Sequence, residues 1–112
     1  MRYSLVFGDR DLATDAEGYL KNLDDWDKQV AVALAANEHI VLDDCHWEII
    51  HLLRDFYARH QLSPAMRPLV NLVKRDLGED KGRSIYLMKL FGGSPAKTAT
   101  KLAGLPRPDN CL

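Results

Sequence analysis

The chain has 112 residues, 46% hydrophobic and 28% charged, with a formal net charge of −1; this is the size and balance of one globular domain able to bury a core without metal or disulfide help. No apolar run approaches the roughly 20 residues needed to span a bilayer, and the apolar stretch near Met1 is too short for a signal peptide, so a cytoplasmic protein is expected. Two distant cysteines, Cys45 and Cys111, make no disulfide framework.

Charge is unevenly spread. Residues 1–63 hold 6 Lys and Arg against 12 Asp and Glu, whereas residues 64–112 hold 9 against 4. A basic half can face an acidic protein or RNA, or it can simply be a solvated surface.

Tyr3, Leu5 and Phe7 alternate with Ser4 and Val6, and Gly8-Asp9 is a turn pair, so the chain opens on a small hairpin whose second strand runs from Asp11 to Ala13. Thr14-Asp15-Ala16-Glu17 reads as a capping box opening a short helix through Tyr19 and Leu20. Asp24 can cap the next helix, which places Trp26, Val30, Ala33 and Leu34 on one face and ends near Asn37. Asp43 caps a long helix to about His60, with Leu42 and Trp47 as a hydrophobic staple and Ile50, Leu53, Phe56 and Tyr57 as its apolar stripe. Ser63-Pro64 predicts another start, with Met66, Leu69, Val70 and Val73 buried, a bend at Pro68 and a stop at Gly78. A further helix is expected from about Asp80 to Phe91, carrying Ile85, Tyr86, Leu87 and Leu90 and stopping at Gly92-Gly93. Ser94-Pro95 begins a last helix to Ala103, and Gly104 ends it. The fold class is therefore all-α: an orthogonal bundle of about five or six helices with a small N-terminal β-hairpin. One domain covers 1–112, with 105–112 as a flexible, mobile C-terminal arm, because Pro106 and Pro108 forbid helix and sheet ladder.

Cys111 is the candidate working group. An extended tail from Leu105 reaches roughly 25 Å, so its thiol can enter another protein's active site. Lys97, Lys101 and Arg107 favour the thiolate, while Asp109 and the terminal carboxylate oppose it. Thiolates attack persulfides, and the persulfide formed is itself nucleophilic. A stray exposed cysteine is the plain alternative. Cys45 lies in the first turn of the long helix, where the dipole lowers a thiol pKa and Asp43 and Asp44 raise it. His46 and His51 are five residues apart and diverge around a helix, so no metal site is read. No phosphate loop, hydrolase triad or nucleotide fingerprint is present, and no cofactor is expected. The segment Arg59-His60-Gln61-Leu62-Ser63 joins two helices, the second carrying Arg67, Asn71, Lys74 and Arg75; it reads as a helix-turn-helix or as an ordinary bundle corner.

With these residues in view, the chain resembles the DsrC/TusE/DsvC family of small sulfur carriers over nearly its whole length. The resemblance rests on Thr14 to Leu20, His46-Trp47-Glu48, Ser63-Pro64-Ala65, Lys81-Gly82 with Tyr86-Leu87, and above all the run from Gly93 to Leu112, with Gly104-Leu105-Pro106, then Pro108, and a next-to-last cysteine. In the two-cysteine members a second cysteine stands eleven residues before the last; here that position is Thr100. The chain is thus similar to the single-cysteine TusE-like branch. Family members usually have Arg where Ile85 stands and Asn where Arg83 stands; Pro68 and Cys45 also depart from the pattern. The resemblance implies a sulfurtransferase: Cys111 would accept persulfide sulfur from a TusBCD-type donor complex. It would relay that sulfur to an MnmA-type tRNA thiouridylase, with tRNA, for 2-thiolation of the wobble uridine. Lys97, Lys101, Arg107 and Arg67 are the expected tail-support and docking side chains, and no membrane partner is implied. The alternatives are a DsrC-like docking subunit of a sulfite-reductase-like enzyme, a carrier of another sulfur pathway, and a helix-turn-helix nucleic-acid binder.

Overall fold

Alternation of side chains and a two-residue Gly8-Asp9 turn close the first fourteen residues into an antiparallel hairpin, β1 (Tyr3–Phe7) and β2 (Arg10–Thr14), in the register Tyr3 to Thr14, Leu5 to Leu12 and Phe7 to Arg10. The computed structural model describes residues 1–108. Five helices follow among the described residues: α1 (Lys28–Asn37), α2 (Asp44–His60), α3 (Met66–Leu77), α4 (Ser84–Phe91) and α5 (Pro95–Leu102). Two strands alone are marginal, and β1 lies against α1 with Leu5 buried.

The core is organised around α5. Each of α1, α2, α3 and α4 packs on it, although it is only eight residues long. Its buried positions are mostly small, Ala96, Ala99 and Thr100, followed by Ala103, which lets four neighbours approach closely. Ile49, Ile50, Leu53, Leu69, Leu87 and Leu102 fill the surrounding layer and are fully buried. Each such side chain stabilises the fold by about 1.5–3 kcal/mol relative to exposure.

Several local expectations are corrected. Thr14 to Leu20 forms a turn, not a helix: Thr14 stays in β2 and bridges Leu20, and the Asp15 carboxylate accepts from the N–H groups of Glu17 and Tyr19 at 2.9 and 3.0 Å. The first helix begins after Trp26, because Asp27, not Asp24, caps it by accepting from Val30 N–H at 2.9 Å; Leu23–Asp25 makes only a short 3₁₀ turn. Helix α3 starts at Met66, two residues beyond Pro64, since Ser63 uses its hydroxyl elsewhere. Pro68 then falls in the first turn, where N–H groups have no helical partner, so it costs no hydrogen bond and forces no bend. Helix α4 starts at Ser84. The preceding segment turns closely past α3: a Cβ at Gly82 would stand 2.3 Å from Lys74 Cβ. Ile85 is 61% exposed, whereas Leu87 is buried.

The long helix α2 follows expectation, with Asp43 as its cap. The Asp43 carboxylate accepts from the N–H groups of Cys45 and His46 at 2.9 and 3.2 Å. His46 completes the box: its Nδ1 accepts from Asp43 N–H at 3.1 Å while Nε2 lies 2.8 Å from the Leu90 carbonyl. Nδ1 also lies 3.0 Å from Asp43 Oδ1. Hydrogen bonding from His46 N–H holds the Asp43 carboxyl below its ordinary value of 3.8. A group depressed in the folded state contributes stability above its unfolded pKa and loses it as pH falls through the folded value. The stability gap between wild type and Asp43→Ala in urea unfolding is therefore expected to be full above about pH 4 and to close as pH drops below that.

Candidate functional site

The C-terminal end of α5 leaves backbone carbonyls that a helix cannot satisfy by itself. The chain accounts for each in turn. Ala103 N–H donates to Ala99, Gly104 N–H to Lys101 and Leu105 N–H to Thr100, at 2.9, 3.0 and 3.1 Å. The next two carbonyls are taken by side chains from far along the sequence: Trp26 Nε1 donates to Leu102 O at 2.9 Å and Arg54 Nη1 to Ala103 O at 2.6 Å. The Arg54 guanidinium also lies 3.8 Å from the centre of the Trp26 ring, a cation–π contact. Burial lowers the Arg54 pKa from its ordinary 12.5, and a guanidinium keeps its charge regardless. Ser63 Oγ then donates to Pro106 O at 2.6 Å.

Gly104 makes this clamp possible. Its φ is +73°, and a Cβ there would stand 2.2 Å from Trp26 Cδ1. Leu105 follows into the core at 3% exposure, and Pro108 is buried. The tail's first residues are therefore seated on the body, which differs from the loosely held arm expected from Leu105 onward. The remainder of that expectation, including Cys111, lies outside the described residues.

The basic side chains expected to support the thiol are placed differently from one another. Lys101 Nζ lies 3.2 Å from Glu38 Oε2 and 5.4 Å from the Tyr19 ring centre, with 16% of its side chain exposed. Arg107 pairs with Glu17. Lys97 contributes its carbonyl, which accepts from the Tyr19 hydroxyl at 2.9 Å. All three thus meet the turn of residues 14–20, beside a cavity of about 240 Å³ bordered by Thr14, Glu17, Glu38 and Lys101. That turn, read as a helix from its capping pattern, is the brace for the tail root. Arg67 does not join it; it is exposed on α3 and lines a separate groove. Trp26, Arg54, Ser63 and Gly104 were not legible as site residues, since each looks like an ordinary core, surface, cap or stop residue until the chain is folded.

Cys45 sits half-buried at the start of α2, beside Tyr86. Burial first, and then Cys45 and the nearby carboxylates, push the Tyr86 phenol up to about 12. Lys81 is bound to Glu48 at 2.6 Å, and that hydrogen bond raises its pKa. His46 is engaged through both ring nitrogens, and among the described residues no group of three His, Cys, Asp or Glu side chains could hold a metal ion.

Thr100 stands at the centre of α5, fully buried, and its Oγ1 has no hydrogen-bond partner among the described residues. Gly104→Ala is expected to cost about 2–5 kcal/mol in urea unfolding, the sum of a left-handed backbone penalty and overpacking against Trp26. Thr100→Val removes an unsatisfied buried hydroxyl at nearly constant shape, and a gain of about 1 kcal/mol, read as a higher Tm, is expected.

The family model described as DsrC like protein matches residues 6–112. Sulfurtransferase TusE of Photorhabdus laumondii subsp. laumondii is 49% identical over 108 residues, covering 96% of this chain and 97% of that protein. Sulfurtransferase TusE of Salmonella typhimurium is 48% identical, covering 96% and 99%. Among solved structures, DsrC of Allochromatium vinosum superposes with a TM-score of 0.89 at 42% identity over the whole of both chains. The oxidized gamma-subunit of the dissimilatory sulfite reductase (DsrC) from Archaeoglobus fulgidus gives 0.84 at 36% identity, covering 98% of this chain and all of that one. A match that runs through the hairpin, every helix and the seated tail root leaves one assignment: the chain belongs to the DsrC like family.

Proposed function

We propose that this protein is a cytoplasmic sulfurtransferase that carries persulfide sulfur on Cys111 toward 2-thiolation of the tRNA wobble uridine. The observation that carries the reading is the clamp on the tail root. Trp26, Arg54 and Ser63 hold the carbonyls of Leu102, Ala103 and Pro106, and the cysteine follows five residues beyond the last of them. Five extended residues span at most about 17 Å, so a fixed root gives the thiol a defined radius within which to meet two partners. The names of the relatives support the chemistry, and no helix among the described residues is long and apolar enough to cross a membrane.

The transfer needs no cofactor. The Cys111 thiolate attacks the outer sulfur of a donor Cys–S–SH. The donor's S–S bond breaks, its inner sulfur leaves as thiolate, and the proton stays with the transferred sulfur, giving Cys111–S–SH. The same exchange run onto an acceptor cysteine returns the Cys111 thiolate. A TusBCD-type complex is the proposed donor and an MnmA-type thiouridylase with its tRNA the proposed acceptor. Thr100 directs the reading away from two-thiol chemistry, because a hydroxyl at that position cannot close a disulfide with Cys111.

Incubation with a persulfide donor, followed by intact and peptide mass spectrometry, tests the reading. Wild type is expected to gain one sulfur atom on the C-terminal peptide, and Cys111→Ser none. A wild-type chain left unmodified by a donor that loads other thiols, or sulfur carried on Cys45 instead, would overturn it.

A further inference from the structure

Helix α3 turns Arg67, Asn71 and Arg75 to one exposed side at four-residue spacing. These three line a groove of about 410 Å³ with Phe56, Pro68 and Leu72. The two guanidinium-bearing positions lie about 12 Å apart along the helix axis. Arg67 makes no hydrogen bond or ion pair among the described residues. Arg75 forks onto Asp76 through Nε and Nη2, at 2.8 and 3.3 Å, which leaves Nη1 to donate outward. Lys74 and Arg59 are exposed cations near the groove residues in sequence, and Asp55 and Asp76 are the nearby acids. The floor is apolar and partly aromatic; the Phe56 ring lies against His60, tilted by 43° with centroids 4.5 Å apart.

The groove also has a fixed relation to the tail. Ser63, which binds the Pro106 carbonyl, precedes Arg67 by four residues, in the segment that leads into α3. Lys101 and Arg107, which looked like docking cations in the sequence, are engaged by Glu38 and Glu17. Cationic side chains that track an aromatic-floored groove are the elements that hold a nucleic-acid backbone, phosphates by charge and bases by stacking.

We propose that the α3 groove takes the sugar–phosphate backbone of the tRNA that receives the sulfur, holding the acceptor complex beside the tail root. The identity of the RNA rests on the sulfur-relay reading above; the groove itself does not. The contact is electrostatic and tolerant of sequence, as phosphate contacts are.

The test is fluorescence anisotropy of a labelled tRNA transcript with a wobble uridine, titrated with the full chain at several salt concentrations. Wild type is expected to bind with an affinity that falls as salt rises. Arg67→Glu/Arg75→Glu is expected to lose at least about tenfold in affinity at low salt, and its salt slope to flatten by about 1.4, the loss of two phosphate contacts. Arg67→Gln/Arg75→Gln, checked by circular dichroism for an intact fold, is expected to fall between them. Equal binding by all three proteins, no binding by wild type, or equal displacement by polyglutamate would overturn the groove, the last in favour of an acidic protein face. Sulfur loading of wild type is scored separately by mass. A chain that loads sulfur but ignores tRNA removes the groove and keeps the carrier. A chain that binds tRNA through Arg67 and Arg75 but never loads sulfur does the reverse.

Discussion

The structure depends on how the end of α5 is terminated. A short helix in the middle of a bundle must either expose its last carbonyls to water or find donors for them, and buried carbonyls without donors are costly. Here Trp26 and Arg54 supply the donors, stacked on each other and reaching from segments 76 and 49 residues away. Their pairing decides where the chain leaves the body and in which direction. Gly104 follows from it, since nothing larger fits against the indole. Seating of Leu105 and capture of Pro106 by Ser63 follow in turn.

This arrangement separates two demands on the molecule. Packing wants a small-residue helix that four others can approach, and Ala96, Ala99 and Ala103 provide it. The proposed sulfur chemistry needs Cys111, which lies five residues beyond Pro106. The clamp lies between the two in sequence. Thr100 belongs to the first side of that boundary. It is a core residue of α5, and its hydroxyl takes no part in the hydrogen bonding that closes the helix.

Local signals carried much of the architecture. Asp43, Gly78, Gly92 and Ser94-Pro95 mark boundaries in the chain that the folded protein keeps, because caps and stops act within one turn. Two of the errors share one cause. Thr14 and Ser63 both carry a helix-start pattern, yet each is engaged outside a helix: Thr14 is paired in the hairpin and Ser63 is bonded to Pro106. A capping pattern states what a residue can do locally, whereas tertiary partners decide what it does. The site divided along the same line. Cys111 and the proline tail are visible as a pattern of types, while Trp26 and Arg54 acquire meaning only through a carbonyl that the sequence cannot place near them. Lys101 shows the converse. Ten residues before Cys111 in sequence it looks like an activating charge, and in the fold it is bound to Glu38.

Because the clamp joins the beginning, middle and end of the chain, it exists only once all three have come together. The root of the tail is assembled by residues that lie far apart in sequence. A misfolded copy would lack the fixed root at residues 102–106. Folding of the whole chain is thereby required before the tail root takes its position.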